Sequence, residues 1–238
     1  MSKAVVVFSG GLDSTVLLEH CIKNHDEVYA LTFDYNQRHK KEINVAEAYI
    51  YNHYSYHHSK VKEHRVIDLS FFRNLAPTSA LTSNDIDVPK MKDVIGEAQT
   101  SAYVANRNMM FLSIACSYAE AVNATEVYYG AVAVDNLSGF WDCTSPFIEG
   151  INNVLALNRL NRIQIQAPLL FKTKKEIVEM GIELGVQFEK TWSCYNGREV
   201  SCGECPACSS RIAGFKKSKY IDPLPYTKDI DWKDCKSL

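Results

Sequence analysis

Ala4-Val5-Val6-Val7-Phe8-Ser9-Gly10-Gly11-Leu12-Asp13-Ser14-Thr15 is the stretch that decides how this 238-residue chain folds. Ala4 to Phe8 is a short, valine-rich apolar run that reads as a buried strand. From Asp13 to Asn24, Val16, Leu17, Leu18, Cys21 and Ile22 recur with helical spacing and predict one face laid on a sheet. Between them lies a turn of small residues. Two glycines permit backbone conformations and close approaches that a Cβ obstructs, and the helix that opens there leaves its first N–H groups without intrahelical partners. Strand, small-residue turn and helix start together make a site for phosphate. The lysine of G-x-x-x-x-G-K-[ST] is missing after Gly11, and so is the G-x-G-x-x-G pattern. This is therefore a phosphate loop of another kind.

Outward from the loop, strands and helices alternate. Val28 to Phe33 predicts a second strand, ending in the polar cluster Asp34-Tyr35-Asn36-Gln37-Arg38-His39, and strand ends are where open α/β sheets hold ligands. A helical pattern runs from Lys40 to about His57; its His53 and His57 share a face but have no carboxylate or cysteine at motif spacing, so a helix-end role through the dipole is the expectation. Val61 to Leu69 is a third strand. Ser70 to Thr100 is long and aperiodic, which suggests a binding loop or lid over the site. Arg107 and Asn108 stand at the start of an apolar helix running through Met109 to Val122, where a planar cation suits phosphate or carboxylate. Glu126 to Gly130 is a fourth strand, and the following loop to Thr144 gathers Asp135, Asn136, Ser138, Gly139, Trp141, Asp142 and Cys143 as a substrate pocket would. Pro146 fits the first turn of a helix to about Leu157, Ile163 to Gln166 is a fifth strand, and Thr173 with Glu176 forms a capping box for a helix from Lys174 to Leu184. One of the lysines there either reaches phosphates or is simply solvated.

Composition sets the bounds. Hydrophobic residues make up 46% of the chain and charged ones 23%, enough to bury a core in one domain with a small appendage. A net charge of −2 gives no global attraction to nucleic acid, so none is expected as a partner. No apolar run approaches the roughly 20 residues that span a bilayer, and no signal-peptide pattern precedes the first strand, so a cytoplasmic protein without membrane contact is expected.

Four of the eight cysteines fall within fifteen residues: Cys194, Cys202, Cys205 and Cys208 read C-x7-C-x2-C-x2-C, with Gly203 and Pro206 shaping the turns. Four thiolates meet the tetrahedral demand of a structural zinc, with an iron–sulfur cluster as the competing reading. Cys21 and Cys116 sit on apolar helix faces and are expected in the core. Cys143 is different, because a thiol in a pocket loop can act as a nucleophile.

These features combine into a resemblance. Ser9-Gly10-Gly11-Leu12-Asp13-Ser14 matches S-G-G-x-D-S, the pyrophosphate loop of ATP pyrophosphatases, which cleave ATP between the α and β phosphates to adenylate a substrate. With Phe33-Asp34-Tyr35-x-Gln37-Arg38-His39, Arg107-Asn108, Ser138-Gly139-x-x-Asp142-Cys143 and the ending Ser193-Cys194-Tyr195 with its three further cysteines, the chain resembles the 7-cyano-7-deazaguanine synthase family over nearly its whole length. The resemblance implies an α/β, Rossmann-like (adenine nucleotide alpha hydrolase-like) parallel sheet with helices on both faces, at residues 1–188, and a zinc-binding C-terminal segment, 189–238, packed on it. It implies a ligase that uses ATP and ammonia to turn 7-carboxy-7-deazaguanine into the nitrile, commonly as a homodimer. The implied ATP-binding residues are Phe8, Ser9, Gly10, Gly11, Leu12, Asp13, Ser14, Thr15, Asp34, Gln37, Arg38 and Lys174. Asn108, Asp135, Ser138, Gly139 and Asp142 are the expected substrate contacts, Asp13, Arg107 and Cys143 the expected catalytic groups, with Mg²⁺ on the phosphates near Asp13 and structural Zn²⁺ on the cysteines. The chain departs from the family at Ala105-Asn106, where Pro-Gly is usual, and at Thr144-Ser145-Pro146, where an arginine is usual. Both departures lie on the substrate side, so a relative that stops at the amide or adenylates another deazaguanine carboxylate is a second reading. A tRNA-modifying sulfur transferase shares the first loop and is the alternative from another class.

Overall fold

A computed structural model describes residues 1–54, 60–133 and 140–238, the side chains at 53 and 54 excepted. In chain order it runs β1 (Lys3–Val7), α1 (Leu12–Asn24), β2 (Glu27–Asp34), α2 (Lys41–Tyr54), β3 (Val61–Asp68), α3 (Phe72–Leu75), α4 (Arg107–Val122), β4 (Glu126–Tyr128), α5 (Ser145–Leu155), β5 (Gln164–Gln166), α6 (Lys174–Glu183) and α7 (Pro206–Ser218). The five strands form one parallel sheet in the order β3-β2-β1-β4-β5. His57 and His58, the side chain of His53, and Asp135, Asn136, Ser138 and Gly139 lie outside the described residues.

The valine run of β1 is apolar at successive positions because both faces of its sheet are covered, as parallel sheets require. Val5 packs into the layer of α4 and α5 with Leu31, Leu112 and Ile148. Ala4, Val6 and Phe8 point the other way, into a second core with Leu17, Ile50, Ile177 and Phe215 from α1, α2, α6 and α7. Cys21 and Cys116 are buried in these two layers, as their spacing suggested. The sheet grows outward from β1 in both directions, through β2 on one side and β4 on the other, and such a reversal of strand order opens a crevice at the strands' carboxyl ends. The first loop leaves β1 into that crevice.

The segment from Ser70 to Thr100 is held down more firmly than its composition suggested. Ala80, Leu81 and Val94 are buried, Arg38 N donates to Leu81 O at 2.8 Å, and Met91 N donates to Glu204 O at 3.0 Å. Its apolar residues lack a period because they pin successive turns, which need no periodicity. No described helix is long and apolar enough to cross a membrane.

Candidate active site

Side chains of the first loop tie it shut. Ser14 Oγ accepts from Ser9 N at 3.2 Å, lies 3.1 Å from Ser9 Oγ and donates to Gly11 O at 3.2 Å, while Ser9 Oγ accepts from Gly11 N at 3.4 Å. Gly10 has φ +75°, and a Cβ there would stand 2.8 Å from Ala46 N and 2.9 Å from Glu42 O, so only glycine lets α2 close on the loop. Gly11, at the N-cap of α1, supplies no side-chain cap, which leaves the first N–H groups of the helix available to an anion.

The loop opens on a cavity of about 290 Å³ that continues into a recess of about 210 Å³. Phe8, Ser9, Gly11, Leu12, Asp13 and Ser14 line the cavity together with Arg107, Asn108 and Cys143. Lys174 borders the recess, and its Nζ donates to both oxygens of Asp13 at 2.6 and 2.7 Å. The capping box of Thr173 and Glu176 fixes the helix start from which Lys174 projects. Thus the pieces expected to handle phosphate do converge, and the lysine meets the loop through its aspartate.

Arg107 is partly buried at the start of α4. Its Nε donates to Asn108 Oδ1 at 3.2 Å, its Nη1 to Tyr35 Oη at 3.0 Å, and the guanidinium lies 5.4 Å from the Tyr35 ring centroid. Burial alone would make its proton easier to lose, but Tyr35, Tyr129 and the Asp142 carboxylate around it outweigh that and hold the cation. Asn106, just before it, adopts the left-handed region with φ 55°. Asparagine is the side chain that enters this region most readily after glycine, so the substitution for glycine preserves the turn. Cys143 shares the cavity wall, its Sγ 3.7 Å from Tyr129 Oη. Burial, with Asp142 nearby, pushes its thiol up to about 11, a direction that favours the protonated form.

Several expected ligand contacts are engaged elsewhere. Gln37 is buried with its amide spent on Tyr35 N, Phe33 O and Glu42 Oε1, so it braces the loop after β2. Arg38 donates to Ser83 O, and Asp34 is taken up by Asn36 N and Lys40 Nζ. None of these three lines the cavity. Gly10 and Thr15 shape the loop from behind it. Asp142 is only 2% exposed, accepts from Asn108 Nδ2 at 2.8 Å and does not line the cavity. In their place the cavity presents Tyr35, His39, Glu42, Tyr129, Trp192 and Tyr195. Tyr35 was within reach of the sequence: Leu31, Phe33 and Tyr35 continue one alternation past the end of β2 into the same buried layer. Trp192 and Tyr195 carried no local signal beyond their place beside Cys194.

The cysteines form a third feature. Sγ atoms of Cys194, Cys202, Cys205 and Cys208 all lie within 4.8 Å of one another, all four residues are buried, and none is in a disulfide. A tetrahedron of sulfurs around zinc has edges of about 3.8 Å, and Cys202 Sγ stands 3.9 Å from Cys208 Sγ. Backbone N–H groups of Cys202, Glu204, Cys205 and Cys208 point at the sulfurs at 3.3 to 3.5 Å, the outer shell that thiolates on a metal require. The donor set therefore fits a four-sulfur metal site. It holds the segment whose Trp192 N donates to Gly10 O at 2.9 Å, so the metal cluster and the phosphate loop share a wall.

Relatives match this sequence over nearly their whole length. The chain is 42% identical over 232 residues to the 7-cyano-7-deazaguanine synthase of Clostridium kluyveri, covering 95% of this chain and 98% of that one. It is 39% identical over 226 residues to the enzyme of that name from Pseudoalteromonas atlantica, with 95% and 99% covered, and 42% identical over 232 residues to that of Thermoplasma volcanium, with 95% and 91% covered. The family model described as queuosine biosynthesis protein QueC matches residues 3–219, from the start of β1 to the residue after α7, and the chain belongs to that family.

Proposed function

We propose that the protein is a 7-cyano-7-deazaguanine synthase, an ATP-dependent carbon–nitrogen ligase acting on 7-carboxy-7-deazaguanine and ammonia. The observation that carries this reading is the shared cavity, which the Ser9 to Ser14 loop and the Arg107-Asn108 helix start line together. Aromatic surfaces suit two flat heterocycles: Phe33 and Phe111 stack with ring centroids 4.1 Å apart, and Tyr129 and Tyr195 extend the wall.

A carboxylate resists ammonia because oxide is too poor a leaving group. Attack of the carboxylate oxygen on the α-phosphorus of ATP forms an acyl adenylate and expels pyrophosphate, which the loop's N–H groups and Lys174 accommodate. Ammonia adds to the acyl carbon, AMP departs, and loss of a proton leaves the amide. The amide oxygen then attacks the α-phosphorus of a second ATP, pyrophosphate leaves again, and loss of AMP, which carries the former amide oxygen, together with both protons of the amide nitrogen gives the nitrile. Arg107 is placed to balance negative charge on the carboxylate and then on the bridging phosphate. Asp13 would hold Mg²⁺, which when bound would disperse charge on the departing pyrophosphate, and Lys174, which donates to both Asp13 oxygens, holds that carboxylate in place. Cys194, Cys202, Cys205 and Cys208 would hold a structural zinc. Division into residues 1–188 and a packed segment 189–238, residence in the cytoplasm and assembly as a homodimer belong to the same proposal and rest on family likeness.

Incubation with ATP, ammonium and 7-carboxy-7-deazaguanine, followed by mass spectrometry, tests it. Nitrile with two AMP per turnover is expected. Amide alone would assign the shorter reaction, and no ATP cleavage with this carboxylate would overturn the reading.

A further inference from the structure

Asp142 is buried, and burial pushes its carboxyl above the usual carboxylate range while Arg107 and the hydrogen bond from Asn108 pull it back. It does not line the cavity, yet three hydrogen bonds connect it to residues that do. Asp142 Oδ2 accepts from Asn108 Nδ2 at 2.8 Å, Asn108 Oδ1 accepts from Arg107 Nε at 3.2 Å, and Arg107 Nη1 donates to Tyr35 Oη at 3.0 Å. The order of donors along this chain is directional. A carboxylate only accepts, so it draws the NH₂ end of the Asn108 amide and thereby turns the carbonyl end toward Arg107. An amide without that partner has two orientations of similar shape, one of which would set NH₂ against a guanidinium N–H. With Nε and Nη1 both held, the plane of the guanidinium is fixed. Nη2 has no hydrogen-bond partner among the described residues and remains for an anion. The negative charge of Asp142 also offsets that of the cation beside it.

We propose that Asp142 is a positioning residue: through Asn108 it orients Arg107 toward the carboxylate, and it makes no contact with the substrate. The inference rests on the function proposed above. The chain also explains why Arg107 and Asn108 are adjacent at a helix start, since their side chains must reach each other and the wall behind.

Exchange of the two ends of the relay tests it. Asn108→Asp alone sets two carboxylates face to face, and Asp142→Leu removes the acceptor; each should lower kcat/KM for the carboxylate about 100-fold, within the range for lost orientation of one catalytic contact. Asn108→Asp combined with Asp142→Asn keeps the net charge and the chain, because the carboxylate at position 108 accepts from Arg107 Nε and from the amide at position 142. That double variant should recover to within about fivefold of the parent, a coupling that independent contacts do not show. KM for ATP should stay unchanged throughout, and thermal melting checks that each variant is folded. A double variant no better than the worse single one, in folded protein, overturns the relay. Should the double variant not fold, Asp142→Asn in an Arg107→Lys background serves instead: an added loss under about twofold supports action through Arg107, and full additivity overturns it. Parent protein that leaves the carboxylate untouched would sink the functional reading itself and is seen in the same assay.

Discussion

Cys143 is the residue whose chemistry changes most between chain and structure. A thiol in a pocket loop invites a covalent role, but this one lies between Tyr129 Oη and the Asp142 carboxylate, with burial holding its proton on to about pH 11. With its proton held to about pH 11, the thiolate is a minor form at neutral pH. Cys143→Ser should therefore keep kcat/KM within about threefold of the parent, since it retains shape and a donor; a loss beyond about 100-fold in folded protein would restore the nucleophile. The place of Asp13 and Arg107 on the cavity wall was legible because it follows from position at a helix start beside a loop, which is local in sequence. For Asp34, Gln37 and Arg38 the sequence marks a polar loop without saying which groups the loop uses in bracing itself. The contact of Asp142 with Asn108 was hidden for the same reason: its partner is 34 positions away.

At the scale of elements, the strands and most helices follow from period and capping, and the phosphate loop from its place between β1 and α1. What no local pattern shows is how closely α6 and α7 approach. A Cβ on Gly214 would stand 2.5 Å from Lys174 Cγ and 3.0 Å from Lys174 O, so the glycine in α7 is what lets the helix carrying Lys174 lie where its ammonium meets Asp13. Gly214→Ala gains helix propensity of about 1 kcal/mol but must push α6 away, at about 1–3 kcal/mol. Melting should fall by about 2–6 °C in a chain of this size, and ATP cleavage should fall further than stability does, because the displacement separates Lys174 from the loop. Gly150→Ala in α5 is the control: a Cβ there meets nothing within 4 Å, so the same change should leave melting unchanged or raised. Equal melting of the two variants would show that α6 and α7 have room to spare.

For the molecule as a whole, the question is what joins the sheet to its C-terminal segment. One joint is at Phe188, whose O accepts from Arg211 Nη2; within the segment the same guanidinium is held by Asp222, bidentate at 2.6 and 2.9 Å, and donates to Thr191 Oγ1. The other is the cysteine cluster. It caps α7 through Cys205, packs with Trp192 and Tyr195, and thereby sets the wall that closes over Gly10 and the cavity. The spacing of the cysteines disclosed the cluster; that the cluster also borders the cavity was hidden, because Trp192, Ser193 and Tyr195 line it through contacts that no local pattern marks. Removing the ion leaves four thiols packed together with nothing to fix their geometry, while both layers of the sheet keep their own cores. A strong chelator should therefore cut ATP-dependent turnover by more than about tenfold while far-UV circular dichroism changes little. Hydrogen exchange should rise across residues 192–208 and stay low in β1 and β2, and zinc added back in equimolar amount should restore both. Full turnover in metal-free protein would mean that the buried ion pair alone holds the wall, and a collapse of exchange protection in β1 would mean that segment and sheet fold as one unit.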